Sequence, residues 1–411
     1  MRAALSILLL CATLSAAPFR FADLEKIIQT KQITTIDELL PQLPEEYRRY
    51  YTFLYFSRSL QQKYVTPAEP RVILYGPEAD FVMAFTNRDD ALETLEFDPA
   101  TSRFTFRSLD FTLGKPLDPP PVENPPLCLS CHGQDPRPNW DGYNMWPGAF
   151  GSMSRGGCDA IVAGTREFKD YTDFLAGKRT QDRYRHLVRE AVPSVICPSD
   201  PKSEITVTNG VVSDANTDLT AKFHEKNLFR LKRLIEASPA FRAFRYVLAS
   251  GGNQCLNGDT IEKFFPPQWA KNAGKPLYAE VLARVVANAK TDFATRFKFF
   301  NYHNKPSPTD SNRRPINFMD PDDSLGGKFG YEAEVTLLTL LVERMGLSME
   351  RLSLGFEHSQ YDFTSPDVSP DNLFLLWTAA PDSVTGENYA ALTCEQLQQK
   401  SVAAIAALPT H

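Results

Sequence analysis

The run Pro125-Pro126-Leu127-Cys128-Leu129-Ser130-Cys131-His132-Gly133 constrains this chain more than any other stretch. Its C-x-x-C-H spacing is the attachment signature of a c-type haem. Two thiols a short turn apart can each add across a vinyl group of the porphyrin, which fixes the macrocycle covalently. The histidine directly after the second thiol is then delivered beneath the iron as an axial ligand. With only 7 Cys and 6 His in the chain, a chance match is expected roughly once in several hundred such sequences. The motif speaks strongly for haem attachment and weakly for what the haem does.

The same five residues admit other readings. A redox dithiol also uses C-x-x-C, but it expects a βαβ context and has no need of the following His. Half of a zinc site would require a second pair at matching spacing, whereas Cys158, Cys197, Cys255 and Cys394 each stand alone. A loop closed by a disulfide is the third alternative.

A chain of 411 residues is too long for one small core, and two or three domains are the prior. The balance of 50 Asp+Glu against 44 Lys+Arg gives no support for nucleic-acid binding and selects no partner. Residues 1–17 read as a signal peptide: Met1-Arg2 is positive, Ala3 to Leu14 is apolar, and Ser15-Ala16-Ala17 suits cleavage. The apolar run is too short to span a bilayer, and no later stretch is long and apolar enough, so no integral membrane segment is expected. Cys11 follows Leu10 rather than the small residue that a lipoprotein signal wants. A periplasmic location and haem attachment support each other, because c-type haem is joined to the polypeptide outside the bacterial cytoplasm. Without the leader and the motif thiols, Cys158, Cys197, Cys255 and Cys394 remain. An even number in an oxidising compartment suggests two disulfides with three possible pairings, against the bland reading of buried thiols.

Along the chain, Phe21 to Lys31 and Ile36 to Leu40 have helical spacing, with Thr35 and Glu38 placed as a capping box. A longer helix is expected over Glu45–Lys63, its aromatics serving as core. From Arg71 the period turns strand-like through Ala79–Thr86, Leu92–Phe97 and Arg103–Phe111. This predicts an antiparallel sheet of about four strands. Alternation around Phe104, Phe106, Leu109 and Phe111 suggests one packed and one wet face. Residues 115–126 are proline-rich and should run extended, either as a linker or as a rigid lead-in to Cys128.

The segment after the motif, Gln134 to Met153, holds two of the four tryptophans. Its Pro and Gly content argues for an ordered loop rather than a helix. Arg137, Trp140 and Tyr143 are candidates for contact with a porphyrin face or its propionates, the alternative being that they cover a neighbouring helix. Downstream, Thr165–Leu175, Thr180–Ala191, Leu219–Ile235, Pro239–Ala249, Leu277–Phe300 and Tyr331–Met345 have helical periodicity. Glu204 to Val212 looks like a hairpin. The fold expected is α+β, predominantly helical, with a small antiparallel β-region before the haem-binding loop. It divides into a signal peptide (1–17), a helical lead-in plus sheet (18–115), the proline-rich and haem-binding segment (116–160) and a mainly helical remainder (161–411).

The block Pro125–Ser152 resembles exported single-haem c-type cytochrome proteins of proteobacteria, in which a phrase like "NP..CL.CHG…RPNWD.Y..WPGA.G" follows a small β-region. The resemblance covers about residues 70 to 155. It implies attachment through Cys128 and Cys131 with His132 as the proximal ligand, and nothing about activity. Small soluble cytochromes c place a ligating Met several tens of residues after the His. Here Met145 and Met153 come early.

The sixth ligand decides the chemistry. Met145 or Met153 would make a six-coordinate electron carrier of raised potential, and a distal His would lower that potential. An open site would suit a peroxidase-like haem enzyme or a sensor. His186, His224, His303, His358 and His411 each have a structural reading that is simpler than ligation. The expected function is an exported monohaem c-type cytochrome, carrying one covalent haem c and passing electrons to an unidentified redox protein. The haem enzyme and the sensor are the alternatives.

Overall fold

The computed structural model describes residues 18–57, 59–138, 166–188, and most of 219–276 and 381–408. It also describes short pieces at 149–150, 154–155 and 158–159. The leader, the hairpin at Glu204–Val212, the helices foreseen over Leu277–Phe300 and Tyr331–Met345, and His224, His303, His358 and His411 lie outside the described residues.

Helix α1 (Phe21–Lys31) buries Phe21, Leu24 and Ile28 on one stripe. Helix α2 (Ile36–Leu39) opens with the expected box: Thr35 Oγ1 accepts from the Glu38 N–H, and the Glu38 side chain accepts from the Thr35 N–H. Helix α3 stops early, at Glu45–Arg49. The residues read as its continuation form strand β1 (Tyr51–Leu54), every one of them buried. Tyr51 and Phe53 feed one hydrophobic cluster and Leu54 another. That division across alternate residues is what a strand supplies, and a continuous apolar run does not distinguish strand from helix by period alone.

β1 is followed by β2 (Arg71–Leu74), β3 (Phe81–Phe85), β4 (Ala91–Asp98) and β5 (Arg103–Asp110). They form a five-stranded antiparallel meander in the order β1-β2-β3-β4-β5. Its register sorts the side chains. Tyr51 pairs with Leu74, Val72 with Phe85 and Leu92 with Leu109, on the face covered by α1 and α2. Ile73 pairs with Ala84, Leu95 with Phe106 and Phe97 with Phe104 on the other face. Phe174 of helix α5 (Arg166–Ala176) closes the first face, while Leu219 and Phe223 close the second. Each face thus carries a buried cluster, contrary to the alternation argument, with Arg103, Ser108 and Asp110 of the edge strand β5 left exposed. The polar residues between Phe104 and Leu109 are partly satisfied within the sheet: buried Arg107 pairs with Glu96 at 3.0 Å and also with Glu123.

The helix expected over Thr180–Ala191 is replaced by 3₁₀ turns at Lys178–Thr180 and Asp182–His186. Tertiary bonds override the helical period here. Buried Arg183 donates to the Thr86 carbonyl at 2.8 Å and to Asp90 at 2.6 Å, and Tyr184 Oη donates to the Pro70 carbonyl at 2.7 Å. His186 is half-buried, with Nε2 at 3.9 Å from Asp37.

The fold is therefore a mixed α+β architecture built on a sheet with both faces covered, rather than a predominantly helical one with a small β-region. The C-terminal helix Cys394–Ala406 packs against the helix Phe241–Gly252. A disulfide between Cys255 and Cys394 fastens it. Cys158 lies in the two-residue strand Cys158–Asp159 and Cys197 outside the described residues.

Candidate functional site

The C-x-x-C-H residues form their own helix, α4 (Pro126–His132). Pro126 stands in its first turn, where a missing N–H costs nothing. The Pro125 carbonyl accepts from the N–H groups of Cys128 at 2.8 Å and Leu129 at 3.1 Å. Helical spacing sets Cys128 and His132 at i and i+4, and hence along one side of the helix. Cys128 is half-buried, packed at the margin of the second hydrophobic cluster.

The proline-rich lead-in is pinned to the edge strand β5. Asn124, at a left-handed φ of 48°, donates its N–H to the Phe106 carbonyl at 2.8 Å. Its Oδ1 accepts the Phe106 N–H, also at 2.8 Å. Asn is among the few residues that tolerate this backbone conformation. The Phe106 ring then meets the imidazole of His132, with centroids 4.1 Å apart and planes at 31°. One strand residue thus fixes where the helix begins and where its last side chain lies.

Beyond His132 the chain turns sharply at Gly133 (φ 82°, ψ 170°), a backbone region that essentially belongs to glycine. The turn brings the Arg137 carbonyl to 2.7 Å from His132 Nδ1. A carbonyl only accepts, so Nδ1 carries the hydrogen. Burial holds the ring well below its usual range, at about 4, with the Arg137 and Arg71 charges adding to the effect. A neutral ring protonated at Nδ1 leaves the lone pair on Nε2, the state in which histidine binds a metal.

The turn is tied down at its middle. The Asp135 carboxylate accepts from Arg233 Nη2 at 2.6 and 2.7 Å and is ion-paired with Arg230, 3.1 Å from its Nε. Its main-chain carbonyl accepts from Arg230 Nε at 3.0 Å. Arg103 approaches at 3.7 Å from the start of β5. Arg230 is fully buried.

Arg137 itself is buried and donates Nη1 to the Pro138 carbonyl at 2.9 Å; it meets the imidazole through its main-chain carbonyl and, at longer range, through its charge. Trp140, Tyr143, Met145 and Met153 lie outside the described residues. Ala149 bridges Leu54, and the Phe150 N–H bonds the Phe53 carbonyl at 3.0 Å, so the chain leaves the β5 side at Pro138 and returns on β1, the opposite edge. Phe150 packs on Tyr55 and Tyr171 as core.

Sequence reading missed Phe106, Asn124, Asp135, Arg230 and Arg233. Asn124 ahead of two prolines carried a usable signal, because Asn-Pro favours a turn. The others meet the motif only through long-range packing.

The donor set fits a covalently held haem. The porphyrin supplies four nitrogens, so the chain need provide only the two attachment sulfurs and an axial imidazole. No group of three or more His, Cys, Asp or Glu side chains is placed to hold a bare metal ion among the described residues. No described helix is long and apolar enough to cross a membrane. Comparisons with protein-family models, with curated proteins and with solved structures find no match for this chain.

Proposed function

We propose that the protein is an exported, periplasmic monohaem c-type cytochrome that carries single electrons to a redox protein partner. The observation that supports this most directly is His132, whose Nδ1 is committed to the Arg137 carbonyl at 2.7 Å. Nε2 is thereby left as the basic nitrogen, on a helix that also carries Cys128 and Cys131. Each S–H adds across one vinyl double bond, sulfur to one carbon and hydrogen to the other, with no atom lost and no net oxidation. The bound haem supplies a one-electron iron couple. The chain's residues hold its orientation: Phe106 packs against the imidazole, and Asn124 fixes the entry to the helix.

The test is production in a host that matures c-type cytochromes. Denatured, acetone-extracted protein should keep its colour, and its mass should exceed that of the chain by one haem. Cys128→Ser should leave a single thioether, and Cys128→Ser with Cys131→Ser should leave none. Loss of all colour on extraction from the unaltered chain would end this reading. An unchanged reduced spectrum on adding carbon monoxide supports electron transfer, and a shift points instead to a haem enzyme or sensor.

A further inference from the structure

We infer that Asp135 is a positioning residue for the His132 imidazole, acting through the turn that it anchors. The inference rests on the proposed role of His132 as an axial ligand and adds a control over that ligand from outside the motif. The turn runs from His132 to Arg137 and closes on itself twice: the Arg137 N–H donates to the His132 carbonyl at 3.3 Å, and the Arg137 carbonyl accepts from His132 Nδ1 at 2.7 Å. Gly133, in a backbone region that resists side chains, offers no stiffness of its own. Asp135, midway along the arc, supplies it.

Both of its polar ends are held by one helical segment, the carboxylate by Arg230 and Arg233 and the main-chain carbonyl by Arg230. Arg233 also donates Nε to the Ser102 carbonyl at 3.2 Å, in the β4–β5 turn. The same guanidinium therefore references the arc to the sheet that carries Phe106. Charge-assisted bonds of this number are stronger and more directional than anything else in the turn. If Asp135 lets go, the Arg137 carbonyl loses its fixed position, and the imidazole loses the acceptor that sets its tautomer and its electron-donating strength.

The test separates anchoring from plain charge. Asp135→Asn removes a negative charge and Arg233→Gln removes a positive one, yet both loosen the same clamp. In the matured protein, both variants should raise the iron midpoint potential, because a weaker bond at Nδ1 makes the imidazole a poorer donor to the oxidised iron. Potentials that move in opposite directions would mean simple electrostatics and would overturn the inference. A second readout needs no haem. In the full-length chain made without haem attachment and labelled with 15N-histidine, the Nε2–H tautomer of His132 should gain about fivefold in both variants, the factor that one ordinary hydrogen bond commands. The control Arg103→Ala, exposed and 3.7 Å from the carboxylate, leaves the Arg230 and Arg233 bonds in place and should not change the tautomer ratio. Tautomer ratios unchanged in Asp135→Asn and Arg233→Gln would refute the anchoring. A shifted ratio in a chain that never takes up haem would keep the anchoring and remove the axial-ligand role.

Discussion

Replacing both Cys255 and Cys394 by serine tests how the C-terminal helix is held. The bond closes a separation of 139 residues. Loop-closure entropy for a span of that length gives a ceiling of about 5 kcal/mol, and measured losses of native disulfides fall at about 2–5 kcal/mol. The helix has other holds. Leu397 and Ile405 are fully buried, and Ser401 Oγ donates to the Phe264 carbonyl at 2.7 Å. Burying two such side chains contributes roughly 1.5–3 kcal/mol each. Their total is comparable with the bond itself, so the helix should stay docked without the cross-link and open more often. Hydrogen exchange in the peptides covering Phe241–Gly252 and Cys394–Ala406 reads this directly. Exchange should accelerate by the factor corresponding to about 2–5 kcal/mol in both peptides, while β3 and β4 stay protected. Exchange unchanged to within about 0.5 kcal/mol would show that the bond closes nothing that burial had not already closed. Complete exposure of Cys394–Ala406 would show that the buried leucine and isoleucine hold nothing alone.

Gly133→Ala forces a side chain into a backbone region that costs of order 1–3 kcal/mol. It should lower the yield of covalently attached haem more than it lowers the thermal midpoint of the chain; equal losses in both would show that the turn is merely structural. Arg183→Met strands the Thr86 and Asp89 carbonyls and should destabilise by about 2–4 kcal/mol in urea titrations, with Asp37 and Asp90 able to rehydrate. Asp182 is held below its ordinary value of 3.8, first by the Asn87 amide and then by Lys178. A depressed carboxylate stabilises the fold above the unfolded value and loses that contribution as pH falls through the folded one. The drop in urea midpoint between pH 7 and about pH 3 should accordingly be smaller in Asn87→Ala than in the parent chain.

What the sequence disclosed and what it withheld divide along a physical line. The Thr35–Glu38 box, helix α1 and the hairpin of β4 and β5 were legible because each depends on residues a few positions apart. Strand β1 was misread because Tyr51, Phe53 and Leu54 satisfy an apolar pattern of either period, and only the cores above and below the sheet decide. The covered second face was invisible for a similar reason: Leu219 and Phe223, which close it, lie more than a hundred residues from Phe104 and Phe106. At the motif, the donor types and spacing were plain, and the Arg137 carbonyl, the Phe106 ring and the Asp135 clamp were not. Main-chain acceptors leave no mark in a sequence.

Helix α4 has seven residues, and no side chain caps its start. Such a helix is far below the length at which a free peptide holds its shape in water. Its persistence must come from neighbours, and these act at its two ends: Asn124 grips β5 just before Pro125, and Phe106, Gly133 and the Arg137 carbonyl engage His132 just after Cys131. Between these holds Cys128 is half-buried at the margin of the second cluster. Under the proposed haem attachment, that distribution suits a segment whose Cys128 sulfur is to be reached by a modifying apparatus while its imidazole is already aimed. The exposed side chain of Leu127 and the half-buried side chain of Cys128 next to it agree with access from one flank. A helix this short takes its rigidity from the holds at its ends, so aiming the imidazole does not require that Cys128 between them be fully buried.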